Sequence, residues 1–260
     1  MVSTRERHAL AQTLAAERLE GWRPTSAEVS DLTELATGAV TFGQYLGRHL
    51  PHEIHRYRRP LFARRKPYLI PGTTVLRNNF GVHDAPTLTR LEFVATAGRI
   101  VQVHLRPEDH DLDARRLHQH VFGDVYAWAG EPRIVELRRG DSTFGSCVRI
   151  PRALRALQSD IESLAGAAAA LDRGELAYRL ARIYAVYNQI HPFRDGNGRT
   201  GTLLLHLITV RAGRRLCLTD VSRADWITAS RDSLPFRRDG PPDPRPFIPI
   251  LRNCLRDREI

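Results

Sequence analysis

His191-Pro192-Phe193-Arg194-Asp195-Gly196-Asn197-Gly198-Arg199-Thr200 separates two apolar segments of helical character. Before it, Leu176, Leu180, Ile183, Tyr187 and Ile190 recur on one helix face; after it, Leu203 to Val210 is almost wholly apolar. The stretch is therefore a loop opening onto a helix N-terminus. Gly196 and Gly198 let backbone N–H groups turn inward there, which makes a nest suited to phosphate. Arg199, in the first turn of the second helix, opposes the helix dipole unless an anion lies between it and the loop. Asp195 beside such a nest repels phosphate unless a divalent cation bridges the two, and an oxygen ligand of that kind suits Mg²⁺. His191 lies just outside the cradle and has an ordinary pKa near neutrality. It can take a proton from a hydroxyl attacking bound phosphorus. Phe193 is expected to point back into the core and fix the loop. Each residue alone has a plain structural reading: His191 as a helix cap, Asp195-Gly196 as a turn, Arg199 as a surface charge. Their joint occurrence between two apolar helices points to chemistry on phosphorus.

Working outward, Ile134 to Leu137 alternates like a strand, Arg138 to Ser142 reads as a turn, and Thr143 to Ile150 returns, which predicts a β-hairpin. Pro151 opens a helix, Ser159 to Leu171 is alanine-rich and helical, and Gly174 is expected to punctuate before the next one. Upstream, Asp111 is expected to cap an amphipathic helix carrying Leu112, Leu117, Val121, Phe122 and Val125, and Leu88 to Ala97 reads as helix. Downstream, the proline-rich 241–246 segment connects to a last short helix ending near Arg256. At the other end, Leu10, Leu14, Ala15 and Ala16 give a helix stopped by Gly21 and Pro24. Thr25 or Ser26 starts a second helix that Gly38 ends, and Thr41 starts a third. The expected organisation is a small helical domain over 1–55, a basic linker over 56–67 and a larger domain over 68–260.

The 260 residues and near-average apolar and charged content exclude wholesale disorder, and no apolar run reaches the roughly 20 residues that span a bilayer. The start of the chain reads as neither signal peptide nor lipidation site, so a cytoplasmic location is expected. Cys147, Cys217 and Cys254 are far apart and odd in number, which fits reduced thiols rather than a disulfide framework or a zinc site. The net charge of +10 rests almost wholly on arginine, Lys66 being the one lysine. Such a surplus suits phosphate, nucleotide or an acidic partner. No nucleic-acid reading motif or aromatic-interleaved basic stripe accompanies it, so nucleic acid is not an expected partner.

The central stretch resembles the signature of Fic-domain proteins, His-x-Phe-x-Asp/Glu-Gly-Asn-Gly-Arg-x-x-Arg. It matches through Arg199 and departs at the last position, where Thr202 stands in place of the second arginine. Tyr68 to Thr73, Leu76 to Asn79, Leu117 to Glu131, Arg133 and the hairpin around Ser142 to Phe144 resemble that family in the same order, so the likeness covers roughly residues 68–240. It implies a mostly α-helical fold, a Fic core with a β-hairpin flap. It further implies an enzyme that transfers a nucleoside monophosphate, usually AMP from ATP, onto a hydroxyl of a target protein. By that likeness His191 is the general base and Asp195 the Mg²⁺ ligand. Gly196, Asn197, Gly198 and Arg199 cradle the diphosphate with Phe193 behind them, and Trp226 occupies a place near the adenine or in the core. Arg138, Arg139, Ser142, Thr143 and Phe144 form the flap that registers the target chain.

The N-terminal segment resembles the small three-helix antitoxins of Fic toxins, whose inhibitory helix carries Ser/Thr-x-x-x-Glu-Gly/Asn. Glu20-Gly21 matches and Ala16 departs. The likeness implies inhibition in cis by Glu20 on a domain packed against the core. Because Thr202 cannot bond a terminal phosphate as arginine would, two alternatives follow: a diphosphate-linked donor other than ATP, or a nucleotide-binding module with weakened catalysis.

Overall fold

The computed structural model describes residues 2–51, 66–140, 142–238 and 240–257, so most of the expected basic linker lies outside the described residues. Helices dominate. The N-terminal trio is α1 (Thr4–Glu20), α2 (Ser26–Ala36) and α3 (Phe42–Gly47), each opened by a reciprocal cap: Ser3 with Glu6, Thr25 with Glu28, and Thr41 with Gln44. α4 (Ala85–Leu105) follows, then α5 (Ala114–Phe122), a hairpin of β1 (Arg138–Arg139) and β2 (Ser142–Thr143), and α6 (Ile150–Ala167). α7 (Arg173–Ile190) leads through the motif loop into α8 (Asn197–Arg211). β3 (Arg214–Leu216), α9 (Arg223–Asp232), α10 (Ile248–Cys254) and β4 (Leu255–Asp257) complete the described chain.

α8 runs through the middle. From Asn197 to Thr209 all of its residues but Gly198 are buried, because α1, α5, α6 and α7 all pack on it. α4 is two-sided. Its Leu88, Leu91, Ala95, Ile100 and Val103 join the main core, while Val94, Ala97 and Val101 close a second cluster with Leu10, Leu32, Leu35 and Tyr45. The N-terminal helices therefore complete their core only against α4, a junction also marked by the bond from the Tyr45 hydroxyl to the Val94 carbonyl at 3.0 Å. α1 lies deep enough to bury polar side chains, and Gln12 accepts a bond from the Leu218 N–H at 2.8 Å.

Several expected boundaries move. The strand expected at Ile134 to Leu137 does not form: the ladder has only two residues a side, with Arg138 opposite Thr143 and Arg139 opposite Ser142, and Ile134 is exposed. Arg133, buried beneath this segment, takes the Val135 and Gly145 carbonyls, which lie where the ladder would continue past the bond from the Phe144 N–H to the Leu137 carbonyl. Asp113 rather than Asp111 caps α5, accepting from Arg115 and Arg116, while Asp111 accepts from the Asp113 N–H and pairs with Arg116. Gly174 lies inside the first turn of α7, where the Asp172 side chain accepts its N–H and that of Glu175. The alanine-rich helix stops at Ala167, giving way to a short 3₁₀ turn. After Cys254 the chain extends and β4 pairs antiparallel with β3, a second small sheet that short non-alternating segments gave no sign of.

Candidate active site

The motif loop is held by its own side chains. His191 ends α7 in the left-handed region, with φ 46°, and its N–H still bonds the Tyr187 carbonyl. Asn197 closes the loop from the other end: its Oδ1 accepts from the Phe193 N–H at 2.9 Å and its Nδ2 donates to the Phe193 carbonyl at 2.8 Å. Phe193 is fully buried and stacks on His118, ring centroids 3.8 Å apart. It thus braces the loop from the core, as expected, and is not part of the cavity wall. Gly196 must be glycine, since its φ is 76° and a Cβ would lie 2.3 Å from the Phe122 ring.

Two supports were not anticipated. His118 accepts the Gly130 N–H at Nδ1 and so donates from Nε2 to the Asp195 carbonyl at 3.0 Å, fixing the far side of the loop. Burial drives its pKa down to about 3, which keeps it neutral and preserves that tautomer. Arg133 is likewise buried; it donates to the carbonyls of His191, Val135, Gly145 and Ile190, tying the flap to the end of α7. Arg133 belongs to the likeness noted in the sequence, but the role of neither residue shows there, because each acts on backbone groups brought close only by folding.

A cavity of about 290 Å³ opens over this loop. His191, Asp195, Gly196, Asn197 and Gly198 form its floor, Arg138, Arg139 and Phe144 of the flap one side, and Arg223, Trp226 and Ile227 of α9 another. Tyr184, Tyr187 and Asn188 also line it; their i, i+3, i+4 spacing with His191 is a helix face that could have been read from the sequence. Trp226 is almost fully buried against Tyr184 and Phe247, so it forms wall and core at once.

The Phe144 ring stacks on the His191 imidazole, centroids 3.7 Å apart and planes at 12°. Burial, with Arg139 and Arg133 nearby, pushes the His191 pKa down to about 3, so the imidazole is neutral at physiological pH. Asp195 points one oxygen back, Oδ1 accepting the Gly196 N–H at 2.7 Å, and is otherwise half exposed at the cavity. One carboxylate beside a phosphate nest is the donor set Mg²⁺ uses when substrate oxygens complete its shell, so the residues fit that ion.

No side chain hydrogen bond caps α8, so its first-turn N–H groups are left to the cavity side. The carboxylate at that spot belongs to Glu20, at the end of α1. A Cβ on Gly198 would lie 1.8 Å from Glu20 Oε1, so the glycine permits the approach. Burial raises the Glu20 pKa above the usual carboxylate range, against the opposing pull of Arg199, Arg139 and Arg223.

Arg199 and Thr202 do not line this cavity. The Arg199 guanidinium turns into the interior, where it pairs with Glu92 of α4, bonds the Thr96 hydroxyl at 3.1 Å and lies 3.8 Å from Glu17 of α1. The anion that its place on α8 demands is thus supplied by the protein. Burial works against its charge, but Glu92, Glu17, Asp195 and Glu20 outweigh it and hold its pKa above the usual value. Thr202 donates to the Gly198 and Arg199 carbonyls. It faces a small interior void shared with Ala16, so the two departures from the sequence pattern are neighbours in space. Of the flap residues, Thr143 is half-buried and does not line the cavity, and Ser142 is placed by its backbone pairing alone.

Residues 111–209 match the Fic/DOC family. The chain is similar to a probable protein adenylyltransferase Fic of Salmonella typhimurium, 31% identical over 168 residues that cover 64% of this chain and 84% of that protein. It is also similar to a probable protein adenylyltransferase, y4lH, of Sinorhizobium fredii, 35% identical over 153 residues that cover 58% and 78% of the two chains. Among solved structures it resembles the BepC protein of Bartonella tribocorum with bound AMPPNP, at TM-score 0.61 and 20% identity, over 74% of this chain and 97% of that one.

Proposed function

The chain belongs to the Fic/DOC family, and from that premise we propose that it is a protein adenylyltransferase, moving AMP from ATP to a hydroxyl side chain of a target protein. The observation that carries this reading is the cavity itself: a neutral imidazole, a carboxylate and an uncapped helix N-terminus converge within one loop. In the proposed reaction the target hydroxyl oxygen attacks the α-phosphorus, the bond to the bridging oxygen of the β-phosphate breaks, and pyrophosphate leaves. His191 takes the hydroxyl proton. A seated polyphosphate offsets the positive charge of Arg139 and Arg133 and so raises the basicity of the imidazole. Gly196, Asn197 and Gly198 hold the phosphates through the start of α8, and Asp195 would hold Mg²⁺, which neutralises phosphate charge when bound. The short ladder of the flap leaves an edge beside the cavity on which a target segment adds as a strand.

Glu20 restrains this activity. Its carboxylate occupies the anion position at the α8 N-terminus, so a nucleotide must displace it. The test is to supply the purified protein and a lysate with ATP labelled in the adenosine, and to identify adenylylated peptides by mass spectrometry. Label in proteins, absent with His191→Ala, is the expected result; no label under any condition overturns the reading.

A further inference from the structure

A polyphosphate seated at the start of α8 carries more charge than first-turn N–H groups and one metal neutralise, so the cavity needs a further cation at its phosphate end. α8 does not provide it. Arg199 is committed to Glu92 and Glu17, and one turn on stands Thr202, uncharged and bonded to carbonyls of its own helix. Four other arginines line the cavity: Arg138 and Arg139 from the flap, Arg194 from the loop and Arg223 from α9. Only two of the four are among the groups whose charge bears most on Glu20, the side chain marking the phosphate end, and those are Arg139 and Arg223.

Arg223 is placed on a helix of 10 residues and Arg139 on a two-residue ladder. The Arg223 guanidinium crosses to the end of α1, its Nε 3.4 Å from where a Cβ on Gly21 would stand. It is exposed, and among the described residues it makes no ion pair within 4.0 Å. It also occupies the first helical position of α9, where a cation opposes the helix dipole and gains from an anion in front of it. We propose that Arg223 binds the terminal phosphate of the nucleotide donor and thereby sets the preference for a triphosphate. The proposal rests on the adenylyltransferase reading and names the residue that selects its donor.

Calorimetric titration of ATP and of ADP, each with Mg²⁺, tests it on Glu20→Gly protein, in which the seat is open. A guanidinium bond to a phosphate oxygen corresponds to on the order of tenfold to a hundredfold in affinity. The expected result is that Glu20→Gly binds ATP at least tenfold more tightly than ADP. The added Arg223→Ala substitution should remove most of that ratio while leaving ADP affinity within about twofold, and Arg223→Lys should keep part of it. An unchanged ATP-to-ADP ratio in the Arg223→Ala protein overturns the proposal and leaves the adenylyltransferase reading standing. Failure of Glu20→Gly protein to bind either nucleotide overturns both. Because Arg223 is exposed, the substitution removes no core contact, and an unchanged melting temperature distinguishes its effect from unfolding.

Discussion

Glu92 on α4 and Arg199 on α8 form a buried ion pair that turns the motif arginine away from the cavity and into the junction with the N-terminal helices. Glu92 also accepts from the Tyr126 hydroxyl, and Glu17 of α1 approaches the same guanidinium. Removing one member of such a cluster strands the rest. Glu92→Ala is expected to destabilise the fold by about 3–5 kcal/mol, because an arginine is left buried without its main partner. Thermal melting checks this: the midpoint should fall by several degrees, and Glu92→Gln, which keeps a hydrogen-bond acceptor, should fall less.

Glu20 stands where an anion would bind, so Glu20→Gly should raise nucleotide affinity and, with it, adenylylation or auto-adenylylation. Both a steric obstacle and a like charge leave the phosphate seat. Labelled-ATP incorporation by wild type and variant is the measurement. Equal incorporation, at a level where activity is detectable, would mean that α1 serves stability and not restraint.

His191 holds no phosphate in the proposed scheme; it receives a proton. His191→Ala should therefore lower transfer by roughly 10²–10⁴-fold while nucleotide affinity changes little. Titration calorimetry beside a transfer assay separates the two quantities, and a variant that loses both would assign His191 to binding.

Stability should fall steeply below neutrality. His118, His191 and His206 are pushed by burial down to about 3 and His120 to about 4, whereas unfolded histidine titrates near 6.5. Below that unfolded value the unfolded chain binds protons that the folded one refuses. The stability these histidines contribute is therefore complete above pH 6.5 and is lost as pH falls toward 3. Each costs up to about 1.4 kcal/mol per pH unit in that window. Glu17 acts in the opposite sense: burial raises its carboxyl to about 8, so its contribution is complete below 4.5 and lost as pH rises through 8. Burial raises the Glu20 and Glu92 carboxyls in the same direction as Glu17, so above pH 6.5 these carboxyls titrate against the fold. Below it the four histidines outweigh the three glutamates, and the maximum should lie near neutrality. Denaturant melts between pH 4 and pH 8 check the curve; a flat profile below pH 6.5 would mean that the histidines take up protons in the folded state.

The helices were legible because their signals are local. The Thr25 and Thr41 caps, the stop at Gly21 and the apolar faces of α7 and α8 all lie within a few residues of what they specify. The cavity floor, His191 with Asp195 to Gly198, was legible for the same reason. What the local pattern hid is where long side chains go. Arg199 sits where a phosphate ligand belongs, yet its partner Glu92 is 107 positions away in the chain. The short hairpin had a strand-like approach in Ile134 to Leu137, but buried Arg133 takes the Val135 and Gly145 carbonyls, and only two residue pairs form. Arg223 gave no signal, since nothing in its neighbourhood announces that α9 begins beside the end of α1.

Whether this loop transfers AMP, and whether Glu20 holds it back, is decided by one measurement: incubating wild type, Glu20→Gly and Glu20→Gly/His191→Ala with ATP and Mg²⁺ and reading intact mass and labelled peptides. The expected result is AMP added to protein hydroxyls by Glu20→Gly, much less by wild type, and none above background when His191 is also replaced. Incorporation that persists without His191, or that no form of the protein supports, would contradict it.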